Sequence, residues 1–161
     1  MNRLILVTAA SVALGACVST SSSEAVSDLS SDWRTDSRIA EVTLTRSQDL
    51  NVSAEFDALF QERVKAGVDK CATGTRALRL EARLTKLSKA NPFVTAILFG
   101  QNKVRGAARL VDVETGRTVA EYTIGRTVTG SRVGVIAMAE AEEQLSDGFA
   151  AEVCRQAFSA R

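Results

Sequence analysis

Leu78-Arg79-Leu80-Glu81-Ala82-Arg83-Leu84-Thr85 alternates without a break: Leu78, Leu80, Ala82 and Leu84 fall on one side of an extended chain, Arg79, Glu81, Arg83 and Thr85 on the other. A period of two with charge on one side is the pattern of a strand with one buried and one wet face. Strands of that kind belong to sheets covered on a single side. Downstream, Lys103 to Val113 and Thr118 to Ile124 are rich in Val, Ile, Thr and Tyr and read as two further strands. Asp112-Val113-Glu114-Thr115-Gly116-Arg117 between them has the acidic start and late glycine of a hairpin containing a left-handed residue. Gly125, Gly130 and Gly134 then read as turn punctuation.

Upstream, Arg38 to Thr45 alternates too, with Ala40, Val42 and Leu44 on one face and Ile39, Glu41, Thr43 and Thr45 on the other. Ser53 is placed to cap a helix whose apolar stripe is Phe56, Leu59, Phe60, Val64, Val68 and Cys71, with Gly74 near its end. At the other extremity Ile136, Ala137, Ala141, Leu145, Phe149 and Val153 recur at helical spacing and predict a long helix over Ile136 to Phe158. The order strand, helix, three or four strands, helix predicts an α+β domain. It is a two-layer sandwich in which a mainly antiparallel sheet of four to five strands carries two helices on one face. A crossover through the first helix would return the chain to the sheet beside its first strand.

The chain has 161 residues, room for one domain. It has no histidine, which excludes Ser-His-Asp and Cys-His catalysis, His-ligated zinc and histidine pH sensing. Twenty Lys and Arg stand against 19 Asp and Glu, without the basic excess expected of a nucleic-acid binder. No glycine-rich phosphate loop or dinucleotide fingerprint occurs, and no cofactor or metal is expected.

The first residues form an address. Arg3 precedes the apolar run Leu4 to Leu14, and small residues close it at Gly15-Ala16-Cys17, too short to span a bilayer. Leu14-Gly15-Ala16-Cys17 resembles the lipobox of bacterial lipoproteins; the other reading is an ordinary cleaved signal with a chance cysteine. The resemblance implies a diacylglyceryl group on Cys17, cleavage before it, and acylation of the new amino group, several chains being what stable anchoring requires. Val18, where an inner-membrane lipoprotein commonly has aspartate, implies the outer membrane, periplasmic face. Cleavage removes Arg3 and leaves positive and negative side chains equal in number, so electrostatic attachment to anionic lipid is not the expected mechanism. The Ser-rich stretch that follows, nearly free of large apolar residues, reads as a tether. The division is thus 1–16 signal peptide, 17–36 lipidated cysteine and tether, and 37–161 periplasmic domain. Trp33 reads either as an interface anchor or as a lid on the core.

With Cys17 lipidated, Cys71 and Cys154 remain, and in an oxidising compartment they are expected to form one disulfide. So long a loop is credited with roughly 4 to 5 kcal/mol by the chain-entropy model. Two reduced, buried thiols are the alternative. For chemistry, Glu81 or the cluster Glu140, Glu142 and Glu143 could supply a carboxylate pair, although acids at a helix start also serve its dipole. Arg79, Arg83, Lys86 and Lys89 form a basic run that could meet an anionic glycan or lipid headgroup, or be a solvated face. Asn91 to Gly100 contains the only proline and no charge. Its residues Phe93, Val94, Ile97, Leu98 and Phe99 are either covered by the domain's helices or form a partner contact.

The element order and the hairpin Gly106 to Gly116 are similar to a group of bacterial outer-membrane lipoproteins whose domain resembles the TolB N-terminal domain and PelC-like export lipoproteins. That resemblance implies an envelope protein that binds other proteins or assembles with itself, with no catalytic residues to carry over. The expected function is a non-enzymatic binding or assembly module anchored through its lipid. A carboxylate-dependent cell-wall or carbohydrate-active enzyme is the alternative.

Overall fold

The alternation from Leu78 to Leu84 does become the centre of a sheet. The computed structural model describes residues 18–91, 100–130 and 140–159. They form β1 (Val18–Ser21), β2 (Glu24–Ser27), α1 (Ser31–Asp36), β3 (Ser37–Arg46), α2 (Phe56–Val68), β4 (Arg76–Ser88), β5 (Gly100–Asp112), β6 (Thr118–Gly130) and α3 (Ala141–Val153). A π-helical turn, Cys154–Phe158, prolongs α3. In β4, Leu78, Leu80, Ala82 and Leu84 are buried and Arg79, Glu81 and Arg83 are not.

β4, β5 and β6 are antiparallel neighbours. The β5–β6 hairpin closes as its residues demand: Gly116 has φ +69°, and the Asp112 carboxylate accepts from Thr115 Oγ1 at 2.5 Å and Glu114 N at 3.2 Å. β3 lies parallel to β4, so α2 is the crossover that returns the chain to the sheet. The class is α+β, with six strands in the order β1-β6-β5-β4-β3 and β2 also on β6. Four to five strands were expected.

The extra strands come from the Ser-rich stretch. Rather than a free tether, Val18–Ser21 and Glu24–Ser27 pair antiparallel with β6, and Ser31–Asp36 is helical. Backbone pairing and polar contacts hold them, since every β2 side chain is exposed. Their docking also explains why β6 continues through Gly125 to Gly130 instead of turning there: Gly125 O accepts from Ser22 N at 2.8 Å.

Three local details depart from the simple periodicities. A bulge between Ile39 and Glu41 resets the alternation of β3, so Ile39 and Val42 are both buried and Ala40 is exposed. Ser53 does not cap α2, which starts at Phe56 without a side-chain cap, because its hydroxyl is donated to Glu142. α2 ends at Val68; Gly74 lies beyond it, where a Cβ would sit 2.0 Å from the Asp36 carbonyl carbon.

α2 buries Phe56, Phe60, Val64 and Val68, and α3 buries Leu145, Phe149 and Val153; Ile136 and Ala137 lie outside the described residues. The helices meet through Phe60 and Phe149, ring centroids 5.2 Å apart, and through Gly67 against Ala150. These residues join Leu78, Leu80, Leu84, Leu110, Tyr122 and Ile124 in one core. Cys71 and Cys154 form a disulfide there, 83 positions apart in the chain, which staples the region after α2 to the end of α3.

Candidate functional site

The side of the sheet opposite this core is a field of side chains in register. Cross-strand pairing sets Thr43, Glu81, Arg109 and Glu121 in one row, and Thr45, Arg83, Ala107 and Thr123 in the next. Arg109 stands between two carboxylates, 3.9 Å from Glu81 and 3.8 Å from Glu121, while Arg79 donates to Glu81 at 3.0 Å. The small Ala107 leaves a depression of about 300 Å³, rimmed by Thr45, Glu81, Arg83, Arg109 and Glu121. Glu81, Arg109 and Glu121 neutralise one another while Arg83 is exposed, a surface suited to contacting a polar partner.

The carboxylates nominated from sequence fall in two separate places, and Glu140, Glu142 and Glu143 share one depression of about 350 Å³ at the start of α3. Glu81 is on this open face. Glu142 lies at the start of α3, on the core side, and is enclosed by Ser53 N at 2.9 Å, Ser53 Oγ at 2.6 Å and Lys89 Nζ at 2.9 Å. Burial pushes the Glu142 carboxyl up, but the Ser53 hydroxyl and Lys89 together hold it below the ordinary glutamate value. Glu143 pairs with Arg63, and Glu140 is exposed beside them. Among the described residues no group of three Cys, Asp or Glu is arranged to hold a metal.

The basic run is likewise divided. Arg79 is engaged by Glu81 and Lys89 by Glu142, whereas Arg83 and Lys86 enter no ion pair among the described residues. Trp33 packs partly buried on the core, with the Arg76 guanidinium 3.4 Å from its ring centroid, which matches the lid reading. Cys17, Phe93, Val94, Ile97, Leu98 and Phe99 lie outside the described residues.

Two polar nodes went unread in the sequence, and both fasten the N-terminal strands. Glu152, 2% exposed, accepts from Ser21 Oγ at 2.7 Å and pairs with Arg126 at 3.1 Å and Arg155 at 2.6 Å. Burial raises this carboxyl, and Ser21 and Arg155 outweigh it, leaving it below its usual value. Its position, three after Phe149 on the apolar stripe of α3, was the available signal. In the second node the buried Tyr122 hydroxyl donates to Asp28 Oδ1 and accepts from Leu29 N, each at 3.0 Å, while Arg34 spans Asp28 and the Leu29 carbonyl. Burial pushes Tyr122 up to about 12, so it remains a neutral donor.

No family model matches the chain, and no curated protein matches it in sequence. Among solved structures it is similar to a PelC dodecamer from Paraburkholderia phytofirmans, at 14% identity and a TM-score of 0.47 over 88% of this chain and 100% of that one. A single-substitution variant of that PelC gives 15% and 0.45 at the same coverage. A candidate lipoprotein from Caulobacter crescentus CB15 gives 12% and 0.45 over 71% of this chain and 85% of the other. At these identities no residue role passes from them to this chain. No helix of the described residues is long and apolar enough to cross a membrane.

Proposed function

We propose that this chain is a bacterial lipoprotein, anchored through Cys17 at the periplasmic face of the outer membrane, whose domain works as a non-enzymatic binding or assembly module of the cell envelope. In this reading α2 and α3 form one layer and the sheet the other, leaving the far face of the sheet free for a partner. The observation that carries it is the combination of a short apolar leader ending in Leu14-Gly15-Ala16-Cys17 with a disulfide between the two remaining cysteines. Structural disulfides persist in oxidising compartments, and such a leader directs a chain to one. Glu81 stands on the opposite face of the sheet from the acids of α3, and Glu142 and Glu143, which share a depression with Glu140, are each held by a cation; this supports binding over carboxylate catalysis, which needs an available acid and base across one cleft.

Mass analysis of the mature N-terminal peptide tests the anchor: a diacylglyceryl mass on Cys17 is expected, and Cys17→Ser should appear as a soluble periplasmic species. An unmodified Cys17, or a variant that stays in the membrane, overturns the anchor. A photo-crosslinker at Val94 or Leu98 in living cells tests the module, and a discrete protein adduct, whether another copy or a second protein, is the expected result. Glycan or cell-wall hydrolysis lost in Glu81→Gln or Glu142→Gln would replace the module with the enzyme.

A further inference from the structure

The open sheet face is charged unevenly along its strands. The row containing Val18, Thr129 and Gln101 is where the chain enters the sheet, one residue after Cys17. The next outward-facing row holds Thr20, Thr127, Lys103 and Ser88; the one after it, Gly125, Arg105 and Lys86; and the third, Thr123, Ala107, Arg83 and Thr45. The carboxylates Glu81, Glu121 and Glu41 come only on the two rows beyond, with Arg109 and Arg79 among them. Glu24, on the outlying β2, is the one acid opposite the third row.

Lys86, Lys103, Arg83 and Arg105 thus gather near the end of the sheet where the chain enters. None of them enters an ion pair among the described residues. Lys86 and Arg105 are direct cross-strand partners, an arrangement that like charges disfavour. Of the acids on the helix side of the same end, Glu142 and Glu143 are occupied by Lys89 and Arg63, and Glu140 is exposed at the start of α3.

The pairing of Val18–Ser21 with β6 gives this cluster a direction. Val18 is fixed in β1, and Lys103 lies two strands across and two residues along, roughly 12 Å away from strand spacings alone. If the preceding residue carries lipid, the cluster is held at headgroup level.

We propose that Arg83, Lys86, Lys103 and Arg105 form a second membrane contact that binds the phosphates of anionic phospholipid in the leaflet holding the Cys17 acyl chains. The proposal rests on the lipoprotein reading. The even charge of the mature chain hides this contact because the compensating acids sit at the far end of the face and on the helices. At an anionic surface each cation contributes about a fivefold gain in association, screened by salt.

The test uses the full lipidated protein in nanodiscs of phosphatidylcholine, with or without about a third of phosphatidylglycerol, and follows lysine acylation by mass spectrometry. Lys86 and Lys103 should be protected about fivefold by phosphatidylglycerol. Protection should vanish at high salt and fall by at least half in the exposed double variant Arg83→Gln/Arg105→Gln, while exposed Lys70 beside the disulfide reacts equally throughout. Equal reactivity of Lys86 and Lys103 in both discs overturns the proposal. So does protection by inorganic phosphate or an acidic polysaccharide without any from phosphatidylglycerol. The mass of the Cys17 peptide, read on the same sample, separates the two ideas: a lipid-free Cys17 overturns the anchor. The cluster is then judged by flotation with phosphatidylglycerol vesicles, where absence of binding overturns it as well.

Discussion

β6 is shared by two regions held to it in different ways. On one side, β5 brings Ala108 and Leu110 beside Ala120, Tyr122 and Ile124, all buried under α2 and α3. On the other, β1 and β2 contribute backbone hydrogen bonds and few apolar contacts, and a buried glutamate and a tyrosine hydroxyl fasten the arm they form. The first region is stabilised by area removed from water, the second by satisfied polar groups whose net contribution is small unless one partner is lost. The arm should therefore open without the core unfolding, and changes at four positions test that separation.

The largest effect is expected from Phe149→Ala, which empties the contact with Phe60 and should cost about 3 to 5 kcal/mol in urea unfolding. A loss below 1 kcal/mol would mean the helices do not depend on this junction. Next, Glu152→Ala leaves Arg126 and Arg155 facing one another and should weaken the arm by about 2 to 3 kcal/mol, seen as faster hydrogen exchange at Val18–Ser21. The core amides of β4 and β5 should change much less; equal loss in both regions would show the arm and core to be one cooperative unit. The same carboxylate makes the arm sensitive to acid. Its folded pKa is depressed, so its contribution is complete well above the ordinary value of 4.5 and is lost as pH falls through the folded value. Exchange rates at β1, corrected for intrinsic pH dependence, should rise in acid in the native protein and stay flat in Glu152→Gln.

Tyr122→Phe keeps the buried ring and removes the hydroxyl from Asp28 and from the Leu29 N–H, for about 1.5 kcal/mol confined to the arm. The smallest effect, about 1 kcal/mol, belongs to Gly116→Ala: space is open for the methyl group, and only the left-handed backbone opposes it. It should lower the unfolding midpoint of the core while leaving arm exchange unchanged relative to it.

The same contrast explains what could be read in the chain. Leu78 to Leu84, the stripe Phe56-Phe60-Val64-Val68 and the turn at Gly116 were legible because burial and backbone geometry impose periods and residue types that neighbours in sequence reveal. β3 was legible as a strand but not in its facing, since the bulge at Ile39 to Glu41 depends on how β4 lies beside it. Ser53 has the chemistry of a cap, yet Glu142, distant in sequence, takes its hydroxyl. The basic run from Arg79 to Lys89 looked like one feature and proved to be three: two cations neutralised by acids, and two joined by Lys103 and Arg105 from the next strand.

Taken alone, the sequence determined the α+β class, the apolar faces of α2, α3 and β4 and the hairpin, because each follows from local periodicity or turn stereochemistry; it offered a disulfide between Cys71 and Cys154 beside two reduced thiols, and the structure holds the disulfide. Only the tertiary structure decided that Val18 to Asp36 is part of the domain, that Glu152 and Tyr122 secure it, and that cations and carboxylates divide along one face of the sheet. Those features depend on polar groups meeting across large sequence separations, and the free energy of such meetings leaves no periodic trace in the chain.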